Sequence, residues 1–487
     1  MIKKSFLKVL GLLMLSVLAG CSKNDVDEEN PNQYVNDWIY SSLKEIYYWE
    51  DKIPESSDKT LSPDKYFESV IYKYDNVTAP DGDRFSWIQD NWKELLSSLS
   101  GVSANEIGFD YVLYLKESGS DLVIGQITYV KKGTPAEAAG LKRGWWFESI
   151  NGTKLTTSNY SSLLSVTDTH VKIGFSLESY DAAGTFAGFV KGSEYDIQTL
   201  SNYAEDPIYL DSIYTINSSK IGYLVYNFFA PDNGSGDYSY DLELNDIFGK
   251  FKSAGITDLV LDLRYNSGGY TESCQYLGSM IVPDLKETNV FTYYRYNEAV
   301  TDYYSNKYGE DFFNTYFTAS IKSSGLSLAG INNVGSSLSR LYVLTGPYTA
   351  SASEQLINGL KPYMDVILIG DTTYGKNVAS SPIYEEDDPN NTWGMEPIIA
   401  KFFNSKGESD FTAGFTPDFG QDETGIGVKQ LGDTQEILLN IALANASGLT
   451  SSTRSAIPKD PYRDGDLKIN NVYRVRGAQL KHVPILK

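Results

Sequence analysis

A serine and a lysine stand 25 residues apart in a chain of 487 residues that holds only two histidines, His170 and His482. The serine is Ser351, in Thr349-Ala350-Ser351-Ala352-Ser353-Glu354, and the lysine is Lys376, in Thr373-Tyr374-Gly375-Lys376. With histidine so scarce, a Ser-His-Asp triad is hard to assemble, and a desolvated lysine is the alternative base for a nucleophilic serine. A free lysine titrates near 10.4, and burial lowers that value toward a range where the neutral amine can take a proton. A carboxylate, or His170, would be the competing base. Ser351 and Glu354 also form a Ser-x-x-Glu capping box, which needs no catalysis to explain it.

These residues need elements to position them. The apolar run 341–344 reads as a buried strand that passes through a Gly346-Pro347 turn to Ser351 at the start of a helix. The Ala352 N–H then lies at a helix N-terminus, where an anion is favoured. The run 366–369 is a second buried strand, leading directly into Gly370-Asp371-Thr372-Thr373-Tyr374-Gly375-Lys376. That places Lys376 at the carboxyl edge of a sheet, where open α/β folds keep their sites. A third strand, 259–264, ends in Tyr265-Asn266-Ser267-Gly268-Gly269, and glycines there let backbone N–H groups face a ligand. Strands with near-continuous apolar runs alternating with helices predict a multidomain α/β chain. The Tyr- and Asn-rich stretch 285–337 interrupts the order and reads as an insertion near the site.

Together the three segments resemble the carboxyl-terminal processing, or tail-specific, serine peptidases. That family shows D-L-R-x-N-x-G-G, then S-A-S-E, then G-x-x-x-x-G-K, in the order and spacing seen here. Gly414-Phe415-Thr416-Pro417-Asp418 is similar to its G-I-x-P-D segment. The resemblance covers about residues 101–445. It implies Ser351 as nucleophile, Lys376 as general base, and the amides of Ala352, Gly268 and Gly269 as an oxyanion hole. Many members orient the lysine with a glutamine four residues on; here that position is Ser380, and Asn377 or a group elsewhere could fill the role. The implied core is ClpP/crotonase-like, over 205–448. The implied activity is a serine endopeptidase acting near free C-termini of proteins or peptides through an acyl-enzyme. The other reading is a non-catalytic peptide-binding lipoprotein.

Residues 101–200 read as short strands and turns. Gly133-Thr134-Pro135-Ala136-Glu137-Ala138-Ala139-Gly140-Leu141-Lys142-Arg143-Gly144, then Phe147-Glu148-Ser149-Ile150-Asn151-Gly152, resembles the PDZ signature, with Trp145-Trp146 departing from it. PDZ domains bind C-terminal peptides by strand addition, and Ile107-Gly108-Phe109 is by resemblance the carboxylate-holding loop. Residues 33–100 carry helical periodicity, with stretches near 66–74 and 87–99, and read as a small helical domain.

The chain opens on Met1-Ile2-Lys3-Lys4, a short apolar run and Leu18-Ala19-Gly20-Cys21. This pattern reads as a signal peptide over 1–20. It resembles a bacterial lipobox, with Cys21 as the lipidated residue and membrane association through that anchor alone. An acidic tether follows over 21–32, and 449–487 is a C-terminal tail. A bacterial cell-envelope location follows, periplasmic or surface-exposed. The formal net charge is −22, which argues against nucleic acid as a partner. With Cys21 lipidated, Cys274 is the single remaining thiol, so no intrachain disulfide is expected. No Cys/His cluster suggests a metal, and no cofactor is expected. The sequence leaves the oligomeric state open.

Overall fold

The computed structural model describes residues 31–103, 105–165, 167–449, 460–463, 467–469 and 478–479. Cys21, the signal segment and the acidic tether lie outside them.

The central sheet has six strands, in the order Ile208–Ile216, Ser219–Tyr226, Asp258–Asp262, Arg340–Thr345, Val366–Gly370, Phe419–Gly420. The first pair is antiparallel and the rest run parallel. Period-two alternation splits each central strand between two cores. Leu224, Leu259, Leu261, Leu341 and Val343 face the helices Ser239–Ala254, Thr271–Ile281 and Ala352–Leu360. Tyr223, Val260, Tyr342 and Leu344 face the helix Ile437–Ala446. Both faces being covered is why these strands read as unbroken apolar runs.

A second sheet of five strands runs Asn314–Tyr316, Val290–Arg295, Ile398–Asn404, Val378–Ser380, Ala478–Gln479. The stretch 285–337, expected as an insertion, contributes two strands to this sheet. Its strand Val290–Arg295 pairs with Ile398–Asn404, and Phe291, Phe317 and Ile321 complete the main core.

The helices Pro31–Ile46 and Pro63–Val70 do not close a core of their own. Val35, Ile39, Leu43, Tyr66 and Phe67 pack on Val378, Met395 and Ile398 from the far end of the chain. The helix expected over 66–74 stops at Val70. The one expected from residue 87 begins at Trp92, where Asn91 caps the amides of Lys93 and Glu94. Residues Trp87–Gln89 instead pair as a strand with Gly394–Glu396.

The β-rich unit is an antiparallel sheet containing Phe109–Leu115, Val123–Val130, Trp146–Ile150, His170–Tyr180 and Phe186–Gln198. Its core is built on Phe109, Ile127, Phe147, Ile173 and Phe175. Thr134 caps the short helix Pro135–Ala138. Asn151 and Gly152 make the expected turn, both at positive φ (49° and 77°).

Candidate active site

The three sequence segments converge at the carboxyl edge of the central sheet. Asn266 ties two of them together: its Nδ2 donates to Tyr226 O (2.9 Å), and its carbonyl accepts from Ala350 N (3.1 Å) and Ser353 Oγ (2.9 Å). Thr349 does the same from the other side, donating from Oγ1 to Leu263 O (2.8 Å) and accepting at its carbonyl from Tyr374 N (2.9 Å). The Ser351 turn is thereby fixed to both the glycine loop and the lysine loop.

Ser351 is fully buried and sits at φ 58°, ψ −111°, a backbone state a non-glycine residue adopts only when its surroundings impose it. Much of that imposition comes from Glu354. Its buried carboxylate accepts from Ser351 N (3.0 Å), Lys376 N (2.8 Å), Gly375 N (2.7 Å) and Thr373 Oγ1 (2.6 Å). Burial raises the Glu354 pKa, and these four donors oppose the rise. The capping-box reading was thus half of its role. The same side chain that holds the helix start also fastens the lysine loop to it.

Lys376 is 2% exposed, and its Nζ lies 5.2 Å from the centre of the Phe85 ring. Burial pushes its pKa down, against the pull of Glu396, Asp83 and Glu354. Gly375, at φ 90°, lets the loop pass against the Thr412 carbonyl, where a side chain would collide. Arg84 Nη2 donates to Gly375 O (2.8 Å) and Thr412 O (2.9 Å), so the N-terminal unit braces the same loop.

Ser380 Oγ donates to Glu396 Oε1 (2.6 Å), and Trp87 Nε1 donates to Glu396 Oε2 (2.9 Å). Glu396 is buried and is the foremost charge acting on Lys376. No motif marks Glu396 in the sequence. Asn377, the other residue considered for orienting the lysine, faces Ser409 instead (2.6 Å to its carbonyl).

Two expectations are corrected. The Gly268 N–H donates to Asn266 Oδ1 (2.9 Å), so it is engaged within its own loop. Gly269 keeps φ 134° and presses on the Phe229 carbonyl, a contact only glycine permits. Ala352 opens the helix Ala352–Leu360, so its N–H belongs to the first turn that no intrahelical carbonyl reaches. In the Ile107-Gly108-Phe109 loop, Gly108 N donates to the chain's own Glu106 (2.7 Å), which also pairs with Lys131 (2.7 Å), and Phe109 is core. An internal carboxylate already holds the amide that a peptide terminus was expected to take.

His170 is exposed on the β-rich sheet, 3.3 Å from Asp196, while Ser351 is buried. Cys274 is buried beneath the Ser351 turn, donates to Ala352 O (3.2 Å), and has its pKa raised by burial. Among the described residues, no group of His, Cys, Asp and Glu is arranged to hold a metal ion, and no helix is long and apolar enough to cross a membrane.

The family models for peptidase family S41 and for the peptidase S41 N-terminal domain match residues 220–420 and 34–87, together slightly more than half of the chain. The fold is similar to the crystal structure of a candidate S41 protease from Bacteroides fragilis NCTC 9343, with a TM-score of 0.67 and 27% identity over 85% of this chain and 97% of that one. Proteins named Probable CtpA-like serine protease from Staphylococcus aureus strains bovine RF122 / ET3-1 and N315 are 25% identical over 359 residues, 74% of this chain. The chain spans 59% of the length of those relatives.

Proposed function

The chain belongs to peptidase family S41, and from its site we propose that it hydrolyses peptide bonds with a Ser351–Lys376 dyad. The observation that carries this reading is the shared anchor: one Glu354 carboxylate oxygen accepts from both the Ser351 and the Lys376 backbone N–H. Neutral Lys376 takes the proton from Ser351 Oγ as that oxygen attacks the substrate carbonyl. The N–H groups of Ala352 and Gly269 receive the oxyanion. Collapse expels the amine, which is protonated by Lys376, and leaves an ester on Ser351. Water activated by the same lysine then releases the acid. Glu396, steadied by Ser380 and Trp87, keeps the amine directed.

The substrates we propose are protein or peptide chains cut near their C-termini, as in carboxyl-terminal processing peptidases. We assign a ClpP/crotonase-like architecture to the core and a PDZ-like one to the β-rich unit. What supports this is the parallel sheet covered on both faces, and the Pro-started helix followed by an Asn-Gly turn. We also propose a lipid anchor at Cys21 and a cell-envelope location, on the sequence of the first thirty residues.

The test is digestion of an unbiased peptide library by purified wild type, Ser351→Ala, Lys376→Ala and the double variant. Each single change is expected to lower kcat/KM by about 10³-fold or more, with the double variant no worse, because a dyad acts as a unit. Hydrolysis by Ser351→Ala near the wild-type rate would refute the assignment.

A further inference from the structure

The strand His170–Tyr180 outruns its neighbour in the β-rich sheet. Trp146–Ile150 pairs with it only as far as Trp146 opposite Ser176, so residues 177–180 continue past the point where that neighbour begins. The segment 427–430, which follows the last strand of the central sheet, comes alongside. Gly427 N donates to Glu178 Oε1 (3.2 Å), and Gln430 Nε2 donates to Arg143 O (3.0 Å). A cleft of about 530 Å³ lies between the two, within the ~300–1,000 Å³ typical of ligand sites. It stands across the sheet from Phe109–Leu115, with Val123–Val130 and Trp146–Ile150 between them.

One wall of the cleft is aromatic. Trp145 packs against Phe175 and Tyr195, with ring centres 5.5 Å and 5.8 Å apart, and Leu177 extends the wall. Leu177 is 53% exposed, Val190 opposite it on the next strand 51%, and Tyr180 50%. Among the described residues, these are the only large apolar side chains left exposed in the β-rich unit, and all three gather at this mouth. An exposed apolar cluster of that kind marks a binding surface. Glu178, Ser193 and Gln430 add polar groups to the lining.

The charges narrow what fits. Among the described residues lining the cleft, Arg143 is the single cation, and its guanidinium is spent. Its Nε donates to Lys429 O (2.9 Å), Nη1 to Thr128 O (2.7 Å) and to Tyr265, and Nη2 pairs with Glu423. An anion would meet the Glu178 carboxylate with no free positive charge beside it, on a chain of net charge −22. Glu178 already accepts from Trp146 Nε1 (2.9 Å), from Gly427 N and from the Tyr180 hydroxyl, which leaves little for a cation. A wholly apolar ligand would desolvate Ser193 and the Gln430 amide without compensation. What remains is a neutral molecule with a flat apolar face and several hydroxyl or amide groups around its edge. A sugar ring has both.

We propose that this cleft is a binding site for a neutral saccharide, whose apolar face rests on Trp145 while its hydroxyls pair with Ser193 and Gln430. One wall belongs to the β-rich unit and the other to the segment 427–430, so the bound sugar holds the two together. The site stands apart from the Ser351–Lys376 dyad and needs no peptidase activity.

The test is isothermal titration calorimetry of the full chain with maltotriose, cellotriose, xylotriose, mannotriose and triacetylchitotriose, with trigalacturonate as the acidic comparison. At least one neutral trisaccharide is expected to bind with a Kd below about 1 mM, and trigalacturonate is expected not to bind. For that sugar, Trp145→Ala should weaken binding about tenfold or more, and Gln430→Ala, at an exposed position, about fivefold. If Trp145→Ala fails to fold, Gln430→Ala carries the comparison. Hydrogen exchange in 427–430 should slow about tenfold when the sugar is bound. Failure of every neutral trisaccharide to bind would overturn the proposal. So would affinity unchanged in the folded variants, equal affinity for trigalacturonate, or exchange in 427–430 that the sugar leaves unaltered. Occupation of the cleft by an uncharged peptide, with no sugar bound, would assign it to a protein partner instead.

Discussion

Lys376 is held between opposing influences, and their balance sets the pH at which it can act. Burial favours the neutral amine, while Glu396, Asp83 and Glu354 favour the ammonium. Replacing Glu396 by glutamine removes the foremost of those negative charges, keeps one carbonyl acceptor for Trp87 Nε1, and turns an amide N–H toward Ser380 Oγ, which can accept it. The neutral amine then forms at lower pH. The alkaline limb of kcat/KM is expected to move to lower pH in Glu396→Gln, and a limb that stayed in place would show that Glu396 does not act on the base. Glu396 illustrates what the sequence withholds. Ser351 and Lys376 stand out through neighbouring motifs, but Glu396 lies 20 residues beyond the lysine in Gly394-Met395-Glu396, with nothing local to mark it. The signal that could have found it is a lone glutamate at the end of a short strand facing the polar position Ser380.

At the scale of elements, the glycine loop shows how backbone geometry carries chemistry. Gly269 combines φ 134° with contact against the Phe229 carbonyl. Gly269→Ala adds a methyl group where there is no room, in a conformation alanine avoids, at a cost of about 3 kcal/mol. The loop must shift, and kcat is expected to drop at least about 100-fold while far-ultraviolet dichroism stays native. Wild-type kcat in that variant would remove Gly269 from the oxyanion site. The central strands were legible because burial on both faces leaves a continuous apolar signature. The strand Trp87–Gln89 was not, because three residues carry no periodicity and its partner Gly394–Glu396 is some 300 positions away. The same reason hid Val290–Arg295, a strand only by virtue of pairing with Ile398–Asn404. The carboxylate loop was misread because Glu106, two residues before Gly108, supplies its own anion. Only the fold shows that this side chain turns back.

Across the whole molecule, a buried charge network joins the β-rich unit to the α/β core. Arg143 of the β-rich unit pairs with Glu423. Arg264, which follows the central strand Asp258–Asp262, pairs with Glu423 (3.0 Å), Glu436 (2.7 Å) and Asp262 (2.9 Å). Tyr265 OH also donates to Glu423 (2.8 Å). Burial pushes the Glu423 carboxyl up, but Arg143 and Arg264 outweigh it and hold its pKa at about 2, below the ordinary 4.5. A carboxyl depressed on folding stabilises the fold above its unfolded pKa, and that contribution is lost as pH falls through the folded one. The urea midpoint is therefore expected to fall between about pH 4.5 and pH 2. Arg143→Ala leaves Glu423 buried with one partner fewer and should cost about 3 kcal/mol at neutral pH. A neutral-pH midpoint unchanged in Arg143→Ala would show that the network does not join the two units. Because Arg264 sits four residues before Gly268, loosening the network should also lower activity.

The account depends most on Lys376 being the group that activates Ser351. The direct measurement is the rate of Ser351 modification by a fluorophosphonate, with the labelled serine located by mass spectrometry, as a function of pH in wild type, Lys376→Ala and His170→Ala. The rate is expected to rise along a limb on the alkaline side of neutrality, below the ordinary lysine value of 10.5. It should be unchanged in His170→Ala and lost in Lys376→Ala. Labelling of Ser351 at the wild-type rate in Lys376→Ala, or a limb abolished in folded His170→Ala, would contradict it.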